Sequence, residues 1–413
     1  MTDQGGASSR GGRLRLLVEG WRGVPHSYAL VNMQQLAVLS TMSQSVDLRF
    51  IEVPFPAKIA STSGSSGTSA GGGLVLLSDP QAHSRVMTLP PPADDERFDV
   101  ALRLDHPLHF EPSPRAKRTA IFGTAEFGFL TPENITPGHD LAKATAASRD
   151  LGGIDIITPS AWSKQGFLRS GAKSDRVHVV PHGIEPTWCE SISDDERSAA
   201  RRRLVGDAAA GKVLFLHASS MTLNKNVSLM LRAFAAALEE GISAHLVLKG
   251  ADSIYPSRSA LDYELAMLGA KRDALVRRNM TYLGDDLHAS AMRDLFRACD
   301  VYIAASRAEG FNLPALEAAA AGLLVLHTKG GPTEDFLKSP FAMAINAKLT
   351  RNATADRFTL EADEQHLKQL LSRSAKEPGL LRTARAAGPG FVRERFTWEI
   401  VTRRLVEVLQ TLR

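Results

Sequence analysis

Cysteine is nearly absent from this chain: there are two among 413 residues, Cys189 and Cys299. They lie far apart in unrelated contexts, so neither a disulfide framework nor a cysteine-based zinc site is expected, and a reducing compartment fits. Long apolar runs are missing as well. No stretch of about 18 apolar residues occurs, which excludes a membrane-spanning helix. The polar start, MTDQGGASSRGGR, has no apolar core segment and does not read as a secretory signal, so a cytoplasmic chain is expected. Charge of one sign is scarce: the formal net charge is +4, with Lys and Arg spread along the chain rather than gathered in a block. That argues against a nucleic-acid partner and leaves open an anionic small molecule or peripheral contact with an acidic membrane surface. No acidic or His cluster at metal-ligand spacing stands out, so no metal site is expected.

What is present is an ordinary globular composition, 44% hydrophobic and 23% charged, in a chain longer than one core usually covers. Two domains are expected. Residues 1–12 read as a disordered tail. LRLLVEG (Leu14 to Gly20) is a short apolar run ending in glycine, followed by a helix-like segment from Ser27 to Leu39, which together make a βα unit. DVALRLD, RTAIFGTA, DIITPS and VHVVPHGIE supply further short strands in a first domain over 13–190. A Gly/Ser tract at Ser61 to Gly73 has no apolar period and reads as a flexible insertion. The polar stretch 191–211 is taken as a linker. A second βα series opens at KVLFLHAS (Lys212 to Ser219) and runs to 395, and FTWEIVTRRLVEVLQTL within 396–413 has helical apolar spacing. Strands alternating with helices imply α/β domains with parallel sheets, two in tandem facing across a cleft.

The most informative segment is DVYIAASRAEGFNLPALEAAAAG, Asp300 to Gly322. It parses as a strand through Ser306, a loop through Asn312, and a helix opened at Pro314 and ended by Gly322. Glu309 then stands on the loop at the carboxyl end of a strand and Glu317 in the first helical turn, both facing one crevice. Between them, the N–H groups of Gly310, Phe311, Asn312 and Leu313 lack helical partners and sit at the positive end of the helix dipole, which makes an anion site. Gly310 lets a phosphate approach the main chain closely. Two carboxylates flanking such a turn would repel a phosphate, so they are expected to grip neutral hydroxyls at either end.

This pattern, Glu309-Gly310-Phe311 through Pro314 to Glu317, two glutamates separated by seven residues, resembles the signature of glycosyltransferase family 4. VHVVPHGIE, SSMTLNKNVSLMLRAF, GLLVLHTKGGPTEDF and FTWEIVTRRL resemble further elements of that family along most of the chain. In the first half, Gly20-Trp21, Ser27-Tyr28-Ala29, Arg103 to Pro107 and Glu126-Phe127-Gly128 resemble a subgroup. The resemblance implies two Rossmann-like domains of the GT-B type, with the closing helix packed back toward the first domain. It further implies a retaining, metal-independent transfer of a sugar from a nucleoside diphosphate to a carbohydrate, lipid or protein hydroxyl, with no other cofactor. Glu309 would contact the sugar, Glu317 the ribose, and the amides of Gly310 to Leu313 with Lys225 the diphosphate. The leaving phosphate oxygen would take the acceptor proton.

Aligning Lys225 with the family lysine puts Ser219 and Ser220 where glycine and arginine are usual, so one donor cation is missing. Arg22, on the first loop of the other domain, is expected to replace it, with neutral hydrogen bonds from Ser220 and Asn224 as the competing compensation. His182 and Glu185 are lesser departures. His106, just after a strand of the first half, is expected near the anomeric centre, and His109 is a poorer candidate for the same place. A non-catalytic binding subunit, a nucleotide-sugar epimerase and a sugar phosphorylase of the same two-domain plan stay open as alternatives.

Overall fold

Leu14–Gly20 (β1) is buried along almost its whole length, as a strand covered on both faces must be. The computed structural model describes residues 12–24, 26–55, 77–253, 255–352 and 357–413; the Gly/Ser tract at 61–73 and nearly all of the N-terminal tail lie outside the described residues. β1 pairs in parallel with Val46–Glu52 (β2) and Phe98–Leu104 (β3). Ala116–Phe122 (β4), Ile154–Thr158 (β5) and Val177–Val179 (β6) extend the sheet to the order β2-β1-β3-β4-β5-β6. The helices behind these strands include Ser27–Leu39 (α1) and Ala161–Arg169 (α2).

The second domain repeats the plan. Val213–Ala218 (β7), Ala244–Lys249 (β8), Met280–Leu283 (β9), Val301–Ala304 (β10), Leu324–Thr328 (β11) and Ala342–Ile345 (β12) form a parallel sheet ordered β12-β11-β10-β7-β8-β9. The order reverses between β7 and β10, so the loops leaving their carboxyl ends diverge to opposite faces and open a crevice there. The two-domain α/β architecture expected from the sequence is the one observed.

The polar stretch expected to be a linker is an ordered part of the second domain. Asp194–Val205 (α3) is opened by a capping box between Ser193 and Glu196. Its Arg197 and Arg201 bind the buried Asp300 carboxylate at 2.5 and 2.8 Å, and Asp300 also accepts from the Leu214 amide at 2.9 Å. A charged surface helix is thereby docked by the residue just before β10.

After α3 the second domain holds helices Val227–Glu239 (α4), Leu313–Ala320 (α5) and Pro378–Arg395 (α6), and the final helix, Trp398–Thr411 (α7), crosses back. Trp398, Val401, Leu405 and Leu409 are buried in the first domain's core, each contributing roughly 1.5–3 kcal/mol by burial. The crossing is fixed by hydrogen bonds from Ile184 N–H to Phe396 at 2.8 Å and from Trp398 N–H to Ile184 at 3.1 Å. Gly183 is required at this point, because a Cβ would come within 2.6 Å of the Trp398 nitrogen. A hairpin, Ala347–Asn352 (β13) with Arg357–Ala362 (β14), reaches from the second domain to the first. There the Phe358 amide donates to Phe127 at 2.7 Å, and the Phe129 and Phe358 rings stack at 5.8 Å.

Candidate functional site

The crevice at the β7/β10 switch point is where the chemistry-bearing residues collect. The loop after β7 ends in a turn that places Lys225 just before Val227–Glu239 (α4), with Asn226 left-handed at φ 58°. The loop after β10 runs into Leu313–Ala320 (α5). The two loops are cross-linked: the Arg307 amide donates to Asn224 at 2.7 Å, and the side-chain amides of Asn224 and Asn226 donate to Ala308 and Ala305 at 3.3 and 3.1 Å. This bracing fixes Lys225 against Glu309.

Glu309 is 8% exposed. Both its oxygens accept from Lys225 Nζ at 2.8 Å, and Oε1 also accepts from Ser306 Oγ at 2.9 Å and Asn312 Nδ2 at 3.2 Å. Burial by itself would depress the Lys225 ammonium, but Glu309 first and Glu126 next hold it above its ordinary value. Glu126 faces the pair from the first domain, its tip open to the cleft. Enclosure by protein raises its pKa; Lys225 opposes that shift and Glu309 adds to it.

Asn312, left-handed at φ 76°, caps α5 by accepting from the Ala315 amide at 3.1 Å. Among the described residues, no acceptor pairs with the amides of Gly310, Phe311, Asn312 or Leu313, so these donors remain free for a ligand. Gly310 is constrained by the opposite domain. A Cβ there would lie 2.8 Å from Thr124, and its carbonyl accepts from Ser160 Oγ at 2.7 Å, at the start of α2. The Phe311 ring belongs to the core, stacked on Phe336 at 4.7 Å and edge-on to His182 at 4.9 Å.

A cavity of about 250 Å³ joins Lys225, Glu309 and the 310–314 turn to Tyr28, Thr124, Glu126 and His182 of the first half. His217 and Ser219 line it too. The Ile303 carbonyl, 2.8 Å from His217 Nδ1, can only accept, so Nδ1 carries the proton and Nε2 accepts from Ser219 Oγ at 2.7 Å. Burial pushes His217 down to about 4, so it is neutral. Ser220 lines the cavity, its hydroxyl 3.2 Å from Thr222 Oγ1.

Two expectations are revised by these positions. Arg22 is turned away from the crevice. Its guanidinium binds Glu52 at 2.8 Å and the Val86 carbonyl at 2.8 Å, and lies 4.0 Å over the Phe50 ring. The charge partner and the carbonyls at the end of a helix outcompete a distant cleft. His106 is not among the residues that line the cavity; it lies edge-on to the Tyr28 ring at 6.4 Å with Nε2 3.4 Å from Asn134, and burial lowers its pKa. Glu317 is the fifth residue of α5, one turn beyond Leu313, which lines the cavity. Burial and then Glu185 push it up to about 7.

Sequence reading missed several groups. His26 and His217 have no motif of their own, and His182 stood out only as a departure from the family pattern. His26 Nδ1 accepts from the Tyr28 amide at 3.1 Å, and burial followed by the nearby His106 lowers it to about 4. His182 is lowered by burial to about 3, ringed by Phe122, Phe311 and Trp398, with Nδ1 unpartnered. Lys249, buried at the end of β8, is lowered by burial. The expectation of no metal-ligating cluster also needs revision, since His109, Glu111 and His139 converge in the first domain.

Residues 212–348 match the family described as glycosyl transferases group 1. Mannosylfructose-phosphate synthase of Agrobacterium fabrum is 23% identical over 244 residues, 58% of this chain and 49% of that protein. An uncharacterized glycosyltransferase of Methanocaldococcus jannaschii is 27% identical over 164 residues, 40% of this chain and 39% of the other. The chain thus spans about half, or less, of the length of these curated relatives. Among solved structures, HepE of Anabaena in complex with UDP and glucose superposes with a TM-score of 0.62 at 14% identity, covering 97% of this chain and all of that one. A glycosyltransferase from Rickettsia africae gives 0.66 at 14% identity, with 97% and 98% covered. The likeness to solved structures shows the two-domain GT-B fold, and residues 212–348 are similar to the group 1 glycosyl transferases.

Proposed function

We propose that this protein is a retaining glycosyltransferase that moves a sugar from a nucleoside diphosphate to an acceptor hydroxyl. The observation that carries the reading is the set of four unpaired amides at Gly310 to Leu313 beside the Lys225–Glu309 pair, at the point where strand order reverses. A diphosphate seated on those amides would also draw the Lys225 ammonium. Glu309, released from its partner, would accept from a sugar hydroxyl, and Glu317 would accept from the ribose. Complexes of HepE with UDP and with UDP-glucose support a nucleoside diphosphate as the donor's carrier.

In the transfer, the bond between the anomeric carbon and the diphosphate oxygen breaks, the acceptor oxygen bonds to that carbon on the same face, and the acceptor proton passes to the leaving phosphate oxygen. Negative charge grows on the diphosphate, where fixed N–H groups and one ammonium in an enclosed cleft stabilise it. In this reading no cofactor beyond the donor and no metal ion at the diphosphate is needed. Tyr28, Thr124 and Glu126 form the wall toward the acceptor, with His106 positioning Tyr28.

A screen of nucleoside-diphosphate sugars with a mixed acceptor panel, read by nucleoside diphosphate release and by NMR of the product's anomeric centre, tests the reading. Release from one donor with configuration kept supports it. An inverted product, or no release from any donor, would overturn it, the latter favouring the non-catalytic alternative that Ser220 in place of a cation suggests.

A further inference from the structure

Away from the crevice, the first domain holds a second cluster of chemistry-bearing side chains. His109 and Glu111 follow β3; His139 comes from a separate loop. The two loops are joined by main-chain hydrogen bonds from Leu108 N–H to Asn134 at 2.7 Å and from Thr136 N–H to Leu108 at 2.9 Å. From behind, Arg103 donates to the His109 and Glu111 carbonyls at 2.9 and 3.0 Å, itself held by the Glu19 carboxylate at 2.9 Å. Both arms of the cluster are therefore fixed before any ligand arrives.

The spacing of the three groups is informative. His109 Nε2 lies 3.2 Å from one Glu111 oxygen and His139 Nε2 lies 3.7 Å from the other, and the donor atoms fall within 4.8 Å of one another. The His139 side chain is only 10% exposed, yet its distance to Glu111 is too long for a hydrogen bond. Two ligands about 2.0–2.1 Å from one tetrahedral ion are roughly 3.3 Å apart; the His109–Glu111 spacing matches that, and the His139–Glu111 spacing is a few tenths of an ångström longer. Two imidazoles and one carboxylate are a borderline-soft donor set suited to zinc, with a further position left for water.

We propose that His109, Glu111 and His139 bind one zinc ion, which staples the loop after β3 to the loop that carries Asn134 and His139. The consequence is local ordering of the segment that also carries His106. His139 borders a separate cavity of about 710 Å³ with Phe129, Thr136 and Arg169, so the ion is open to exchange. The site shares no residue with the donor crevice, and its failure would leave the transferase reading untouched.

The test uses the full chain without an affinity tag, stripped with a chelator and dialysed. Zinc chloride is titrated by calorimetry, and cobalt(II) is added in parallel to read the visible bands of a tetrahedral site. The expected result is one equivalent of zinc bound, a raised Tm, and at least tenfold weaker binding in Glu111→Gln and His139→Ala. Glu111 lies at the surface, so its variant tests the site even if His139→Ala fails to fold. Absence of saturable zinc binding, affinity unchanged in Glu111→Gln, or equal binding of magnesium would overturn the proposal.

Discussion

Lys225 Nζ lies 2.8 Å from both oxygens of Glu309, across loops 84 positions apart in the chain. On the proposed reading, the cation that would take a donor's phosphate is neutralised in the free protein by the carboxylate that would take its sugar. Ligand binding would then be an exchange of partners rather than the filling of a bare positive site. The same relationship gives Glu309 a structural part whatever its ligand. Glu309→Gln is expected to lower turnover about ten- to a hundredfold, the loss of one charge-assisted hydrogen bond. It is also expected to destabilise the free protein by on the order of 1–3 kcal/mol, because Lys225 is left without its partner. Chemical denaturation and steady-state kinetics on one preparation check both. Since the folded pKa of Lys225 is raised, the pair's stabilisation is complete below the ordinary lysine value and disappears as pH rises through the folded one.

Glu317 carries the opposite sign. With its pKa pushed to about 7, it costs nothing below the unfolded glutamate value, progressively destabilises the fold as pH rises from there to about 7, and holds a constant penalty above. That penalty is on the order of 3–4 kcal/mol. Glu317→Gln is expected to raise Tm at pH 8 and leave it nearly unchanged at pH 4.5, while weakening donor binding at pH 8. A lower Tm at pH 8 would contradict the assigned environment.

Gly310 meets Thr124 across the domain boundary. Gly310→Ala is expected to wedge the domains apart and reduce transfer at least tenfold. Thr124→Gly should restore part of that loss in the double variant, giving a coupling energy of roughly 0.5–3 kcal/mol in a double-mutant cycle. Additive effects would mean that the two residues do not meet in the working enzyme.

Arg22→Ala is expected to leave nucleoside diphosphate affinity unchanged and to lower stability by about 1–3 kcal/mol through its lost bonds to Glu52 and Val86. Ser220→Arg, which faces the cavity, should strengthen that affinity. Titrations at fixed ionic strength, with melting curves, distinguish the two.

The legible parts of this protein were those whose information is local. The stretch from β10 through Glu309 to α5 is one continuous strand, loop and helix, so apolar runs, Pro314 and Gly322 located it. The packing of α7 into the first domain was legible through family resemblance, since its apolar stripe shows only that it packs. Where two distant loops converge, the sequence is silent: His109 and His139 meet because Leu108 pairs with the 134–136 segment. Arg22 was misjudged because a loop's position says nothing of its side chain's direction, which Glu52 decides. The 347–362 hairpin escaped notice because β13 is polar and exposed, without the alternation that marks a strand. Residues 191–211 read as a linker from their polarity and their place between two βα series, but Asp300 turns their charge into an anchor.

The most direct test of the account is a calorimetric titration of nucleoside diphosphates into the wild-type chain and Lys225→Ala. The account predicts one-to-one binding of at least one of them to wild type, weakened tenfold or more in the variant, with folding checked by circular dichroism. No binding of any nucleoside diphosphate, or equal affinity in a folded Lys225→Ala protein, would contradict it.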